Sequence, residues 1–150
     1  MKLKDFINKT FNNILSNNKK SEIKNKNEHK QTTIYSKTFT ITHSDTDSRQ
    51  KIIKELIKEN ELSLSEDLEF EPLFCSSEIE EGTMLSGKKC LKVITIYNDF
   101  ICELGYIPKE FEPELYDALN NSDNYTTSLY VTKKNNIYYI QLEIEFFKNK

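Results

Sequence analysis

The sequence predicts an α+β fold: a small β-barrel, strongly curved or closed and OB-like, carrying two helices, with an amphipathic helix ahead of it on a polar linker. Three observations predict it. Apolar residues alternate with polar ones at a period of two in several segments, most clearly at Tyr138, Ile140, Leu142, Ile144 and Phe146. Short polar turns, Asn98-Asp99 and Lys133 to Asn136, stand between such segments, so successive strands pair as hairpins. Two further stretches have helical spacing behind a capping or proline signal. Five or six strands with two helices and mostly hairpin connections indicate an α+β class with a curved or closed sheet.

The first element is expected over residues 1–15, where Leu3, Phe6, Ile7, Phe11, Ile14 and Leu15 form a helical stripe and Lys2, Asp5, Asn8, Lys9 and Asn12 lie off it. A helix this short is marginal alone, so a surface is expected to receive it. Three readings compete, namely docking on its own domain or a protein partner, an anionic membrane surface, or a frayed chain start. Protein docking fits better than a membrane, because the polar face is only weakly basic and tryptophan is absent. Residues 16–33 are dominated by Asn, Lys, Ser, Glu and Gln, with Ile23 as the one aliphatic residue up to Thr33, and read as a flexible linker. The domain is expected over residues 34–147.

Within it, Tyr35, Phe39 and Ile41 alternate as a half-buried strand. His43 to Ser48 offers several N-caps, Asp47 or a neighbour, to a helix whose Ile52, Ile53, Leu56 and Ile57 share a face. Leu62, Leu64, Leu68 and Phe70 lead through a strand that stops near Pro72. Ser76 to Lys89 reads as a mobile loop or a short irregular excursion. Its Glu78, Glu80 and Glu81 lack the spacing of a calcium loop. Cys90–Tyr97 and Phe100–Ile107 then form a hairpin, and Pro113 opens a helix from about Glu112 to Leu119. Tyr125–Thr132 and Tyr138–Phe146 are the closing pair of strands.

The chain has 150 residues and a net charge of -3, which conceals an asymmetry. Residues 1–31 carry eight lysines against Asp5, Glu22 and Glu28, a balance of +5, so the remainder carries -8. An acidic domain argues against nucleic-acid binding over its whole surface and leaves room for a local patch. Cys75, Cys90 and Cys102 have no Cys-x-x-Cys spacing, and His29 and His43 stand far apart, so neither a zinc site nor any cofactor is expected. Phosphate-loop, Gly-x-Ser-x-Gly and His-Glu-x-x-His patterns are absent, so the chain is not expected to be an enzyme. No secretory segment and no apolar run near the ~20 residues of a membrane span occur, so a cytoplasmic protein is expected.

Leu104-Gly105-Tyr106-Ile107-Pro108-Lys109-Glu110, followed by Pro113-Glu114-Leu115 and a helix, resembles the HIRAN domain. The upstream Ser48 to Leu56 helix and the strand ending Phe70-Glu71-Pro72 are similar to the opening of that family. HIRAN domains occur in Swi/Snf-type DNA translocases and in small free-standing bacterial proteins, so the resemblance suggests a small protein of bacterial or phage type. It covers roughly residues 38–147. The family usually carries an Asn-Pro-x-Asp-x-Asn-Ala-type motif after the acidic Glu-Pro step; here Leu73 to Lys89 takes that place without it.

The resemblance implies an OB-like barrel whose pocket takes a single-stranded DNA 3' end. On the family's Gly-His-x-x-Lys step, Tyr106 stands where the family has histidine and Lys109 matches the lysine. Aromatic rings beside lysines suit unpaired bases and phosphates. Tyr130, Lys133 and Tyr139 are further candidates for the same face. The expected function is therefore a nucleic-acid-binding module for single-stranded or terminal DNA, the alternative being a protein-interaction module docked through residues 1–15.

Overall fold

The longest alternating run forms the centre of the molecule. In the computed structural model, which describes residues 30–65, 69–84 and 86–150, that run is strand β7 (Ile137–Asn149). Its Ile140, Leu142, Ile144 and Phe146 are fully buried on one face. β7 pairs with β6 (Asn124–Lys134) on one side and with β1 (Gln31–Thr40) on the other, and β2 (Glu71–Leu73) pairs with β6. The order of this four-stranded sheet is β1-β7-β6-β2. A second sheet is built from β3 (Ser77–Thr83), β4 (Lys89–Tyr97) and β5 (Phe100–Tyr106), in that order. Every pairing is antiparallel.

Helix α1 (Asp47–Glu59) buries Ile53, Leu56 and Ile57 in a core shared with Leu91, Val93 and Leu104 of the second sheet and with the buried row of β7. Helix α2 (Glu112–Asn121), entered through a 3-10 turn at Lys109–Phe111, adds Leu115 and Ala118. Pro113 lies in its first turn, where a missing N–H leaves no intrahelical bond unmade.

Among the described residues, the α+β class and two helices agree with expectation, with seven strands in place of five or six. A closed barrel does not form among the described residues. There the sheets meet at two seams. Thr42 and Tyr106 exchange backbone hydrogen bonds of 2.8 and 2.9 Å, and the hydroxyls of Ser77 and Thr127 lie 2.7 Å apart. Closure needs a continuous ladder. Here one seam is a single bridge and the other runs through side chains.

Two local expectations change. Ser76 to Lys89 is not a loop throughout, since β3 occupies Ser77–Thr83; Ile79 is its one buried side chain, so the strand signal is hidden among glutamates. Those glutamates divide between faces, with Glu78 and Glu80 opposite in parity to Glu81, so they do not converge. β1 begins at Gln31, and residues expected to end the linker are paired with β7 instead. The N-cap of α1 is Thr46, the neighbour of Asp47 and within the expected capping run, though without a side-chain capping bond. Gln50 ties the start of the helix to its surroundings instead, donating to the carbonyls of Ser44 and Tyr138, both at 2.8 Å. The expected helix at 1–15, most of the linker and Leu68 lie outside the described residues. No helix among the described residues is long and apolar enough to cross a membrane.

Candidate binding depression at the end of β5

The β4–β5 hairpin turns at Asn98 and Asp99, both with positive φ (48° and 65°), the backbone that a two-residue hairpin of this twist requires. Pairing then runs back regularly from Tyr97↔Phe100 to Ile94↔Glu103, after which Val93 faces Gly105 and Lys92 faces Tyr106. Leu104 is therefore an inserted residue, a β-bulge. Without it Tyr106 would stand opposite Leu91, whose side chain is in the core. The bulge moves Tyr106 to the face that carries Lys92 instead. Gly105 takes the core-facing place, where an added Cβ would lie 2.5 Å from the Thr42 carbonyl oxygen and 2.9 Å from Ile41 Cδ1.

Turned outward, Tyr106 is surrounded by polar groups. Its ring lies 5.3 Å from the His43 ring, edge to face, and the Arg49 guanidinium carbon sits 4.6 Å from its centroid, a cation–π distance. Arg49 donates to the His43 carbonyl at 2.6 Å and to Glu103 at 3.1 Å. Lys92 reaches the other oxygen of Glu103 at 2.6 Å. That hydrogen bond raises the Lys92 pKa above the usual lysine value, and together with Arg49 it lowers the Glu103 carboxyl below the usual range. Two nearly buried cations thus share one half-exposed carboxylate.

Beyond Tyr106 the chain passes Pro108 into the 3-10 turn, and an open depression of about 670 Å³ lies there, lined by Phe39, His43, Cys90, Tyr106, Lys109 and Phe111 among others. Phe39 and Phe111 are stacked with centroids 5.2 Å apart, and Lys37 covers Phe111 at 4.0 Å while pairing with Glu114. Burial pushes the Cys90 thiol up, so it is neutral near pH 7 and adds bulk more than reactivity. Glu110 and Glu112 also line the depression. With Lys37, Arg49, Lys92 and Lys109 against Glu103, Glu110, Glu112 and Glu114, this neighbourhood is balanced in charge, unlike the acidic remainder of the domain. Lys109 is exposed and stands outside these three ion pairs.

Tyr106 and Lys109 are thus brought to one depression, whereas the other three candidates lie elsewhere. Tyr130 and Tyr139 alternate with the buried Leu129, Val131 and Ile140, which puts them on the outer face of the four-stranded sheet; the Tyr130 hydroxyl donates to Glu143 at 2.8 Å. Lys133 has the opposite parity, and its ammonium lies 5.9 Å from the Tyr138 ring. His43, Arg49, Lys92 and Phe111, which the pattern of the sequence does not single out, join Tyr106 through the bulge and the Thr42 bridge. The only trace of them in the sequence is Gly105, a bulge or close-approach signal inside a strand. Among the described residues no three His, Cys, Asp or Glu side chains are grouped to hold a metal ion.

Compared with models of known families, with curated proteins and with solved structures, the chain matches none.

Proposed function

We propose that the protein is a non-enzymatic binding module that takes the end of a single-stranded nucleic acid in the depression beside Tyr106. The observation that carries this is the meeting of Tyr106, His43 and Lys109 at one opening of about 670 Å³. An aromatic ring braced from behind by Arg49 is a platform on which a terminal base can stack, a contact worth about 1–3 kcal/mol. Lys109, exposed in the same depression, offers a positive charge to a phosphate. Charge balance around the depression limits the number of phosphates to about one or two, which suits an end better than a strand laid across the surface. The barrel-like relation of the sheets, with seams at Thr42/Tyr106 and Ser77/Thr127, is compatible with a HIRAN-type, OB-like ancestry.

Fluorescence anisotropy tests the proposal, with labelled oligonucleotides whose 3' ends are free or phosphorylated, at low and moderate salt. Expected is binding that prefers one type of end, that weakens about tenfold or more in Tyr106→Ala and less in Lys109→Ala, and whose salt dependence is shallow. No binding at low salt, or affinity that both substitutions leave unchanged, overturns it.

A further inference from the structure

β5 runs from Phe100 at the hairpin tip to Tyr106 at the depression, so the tip and the candidate site stand at its two ends. At the tip two phenylalanines lie in the open. Phe100 is 72 % exposed and stands directly opposite Tyr97, so the two share one face of the hairpin. That face looks toward α1, because the Tyr97 hydroxyl lies 3.4 Å from Glu55. Phe74, 82 % exposed, is held to the end of the same helix, its backbone N–H and carbonyl both bonded to the side chain of the C-cap residue Asn60. Ile96 and Ile101 are partners of each other on the opposite face of the hairpin and take no part. Two phenylalanines this exposed offer on the order of 300 Å² of apolar surface, more than a third of the ~800 Å² that each side of a specific protein interface covers.

Charge indicates what covers them. Along the C-terminal half of α1, the helix both phenylalanines adjoin, Lys54, Glu55, Lys58 and Glu59 are exposed. Spaced four apart, the two lysines form one row on the helix and the two glutamates a second row beside it. An occupant of a single sign meets its own charge in one of the two rows. A second copy of the chain does not. Turned about a two-fold axis running along the helix, it sets the lysine row of each copy against the glutamate row of the other, a self-complementary contact. Exposed ion pairs of this kind add little affinity, so the phenylalanines supply the attraction and the two rows the orientation.

We infer that the chain pairs with a second copy of itself through this end, burying Phe74 and Phe100 between the copies and setting the Lys54/Lys58 row of each against the Glu55/Glu59 row of the other. Sedimentation equilibrium of the full-length protein over a range of concentrations tests it. Expected is a monomer–dimer equilibrium that weakens about tenfold or more in Phe74→Ser and in Phe100→Ser, with native circular dichroism in both. Ile101→Ser, on the other face of the hairpin, leaves it unchanged. The charge rows have their own test in two double variants, Lys54→Glu with Lys58→Glu, and Glu55→Lys with Glu59→Lys. Each is expected to lose self-association, and an equimolar mixture of the two to regain it as a heterodimer. A monomer at every concentration overturns the inference. So does a dimer that both phenylalanine substitutions leave intact, one that Ile101→Ser weakens as much as they do, or a mixture that associates no better than its components. None of these outcomes depends on nucleic acid.

Discussion

The two long hairpins start from the same turn chemistry and end differently. β6–β7 turns at Asn135 and Asn136 and β4–β5 at Asn98 and Asp99, all four residues at positive φ. From there β6–β7 pairs without a break from Lys134↔Ile137 to Asn124↔Phe147, and every second side chain of β7 from Ile140 to Phe146 is buried. In β4–β5 the bulge at Leu104 interrupts the ladder. One inserted residue reverses the facing of every later side chain in the strand. The regular hairpin therefore keeps one buried row throughout, and the interrupted one, after giving Leu91, Val93 and Leu104 to the core, sends Tyr106 out of it toward His43, Arg49 and Lys92. Stability and the candidate site are built from the same element type, separated by a single register change.

The sharpest way to break that contrast is at Gly105. Alanine there puts a methyl 2.5 Å from a backbone oxygen, which no rotamer can relieve, so β5 must move from the Thr42 bridge. A loss of about 2 kcal/mol is expected, typical of overpacking. By comparison, deleting one methyl from the regular hairpin with Ile140→Val costs about 1 kcal/mol. Urea denaturation of the two variants checks the order. Gly105→Ala as stable as the parent protein sinks the view that the bulge depends on the missing side chain.

This register change also explains what the sequence could and could not reveal. The row from Tyr138 to Phe146 was legible because burial and alternation coincide along β7. Asn98-Asp99 and Pro113 were legible because turns and helix starts depend on local backbone conformation. β3 was not, since a strand between Ser77 and Thr83 with one buried apolar side chain carries no period. Nor was the surrounding of Tyr106. Simple alternation groups it with the buried Leu104, and Arg49, 57 residues earlier, reaches it only because α1 packs beside β5. Tyr130 and Tyr139 show a second limit: periodicity alone does not settle their facing, because a one-residue register change reverses it, and it is the unbroken β6–β7 ladder that sets them opposite the core.

A smaller effect is expected at the charged cluster that borders the bulge. Glu103→Gln keeps a hydrogen-bond acceptor but leaves Lys92 and Arg49, with side chains 16 % and 10 % exposed, without their shared charge. About 1 kcal/mol of destabilisation at pH 7 is expected, a modest figure because Glu103 itself is 41 % exposed and water screens the pairs. Its pKa is lowered in the folded protein, so its contribution is fully present above the unfolded value near about 4.3 and disappears as pH falls through the lowered folded value. The stability difference between parent and Glu103→Gln is therefore constant from about pH 5 to 8 and shrinks below about pH 4. A difference that stays constant to about pH 2 shows that the charge is not what the cluster uses.

The smallest effect concerns the turns, where the two hairpins are alike. Asp99 and Asn136 occupy corresponding second positions at φ 65° and 60°, a conformation that glycine adopts without the strain of a Cβ. Asp99→Gly and Asn136→Gly are each expected to stabilise by about 0.5 kcal/mol, the relief of strain being partly offset by the greater freedom of glycine in the unfolded chain. Thermal unfolding of both variants measures this directly. Equal gains place the difference between the hairpins in the ladder, at the inserted Leu104, and not in the turn. If Asn136→Gly stabilises while Asp99→Gly does not, then Asp99 is held at the tip by something other than turn geometry. Repeating the pair in high salt separates the cases, because an electrostatic contact at Asp99 weakens with ionic strength whereas backbone strain does not.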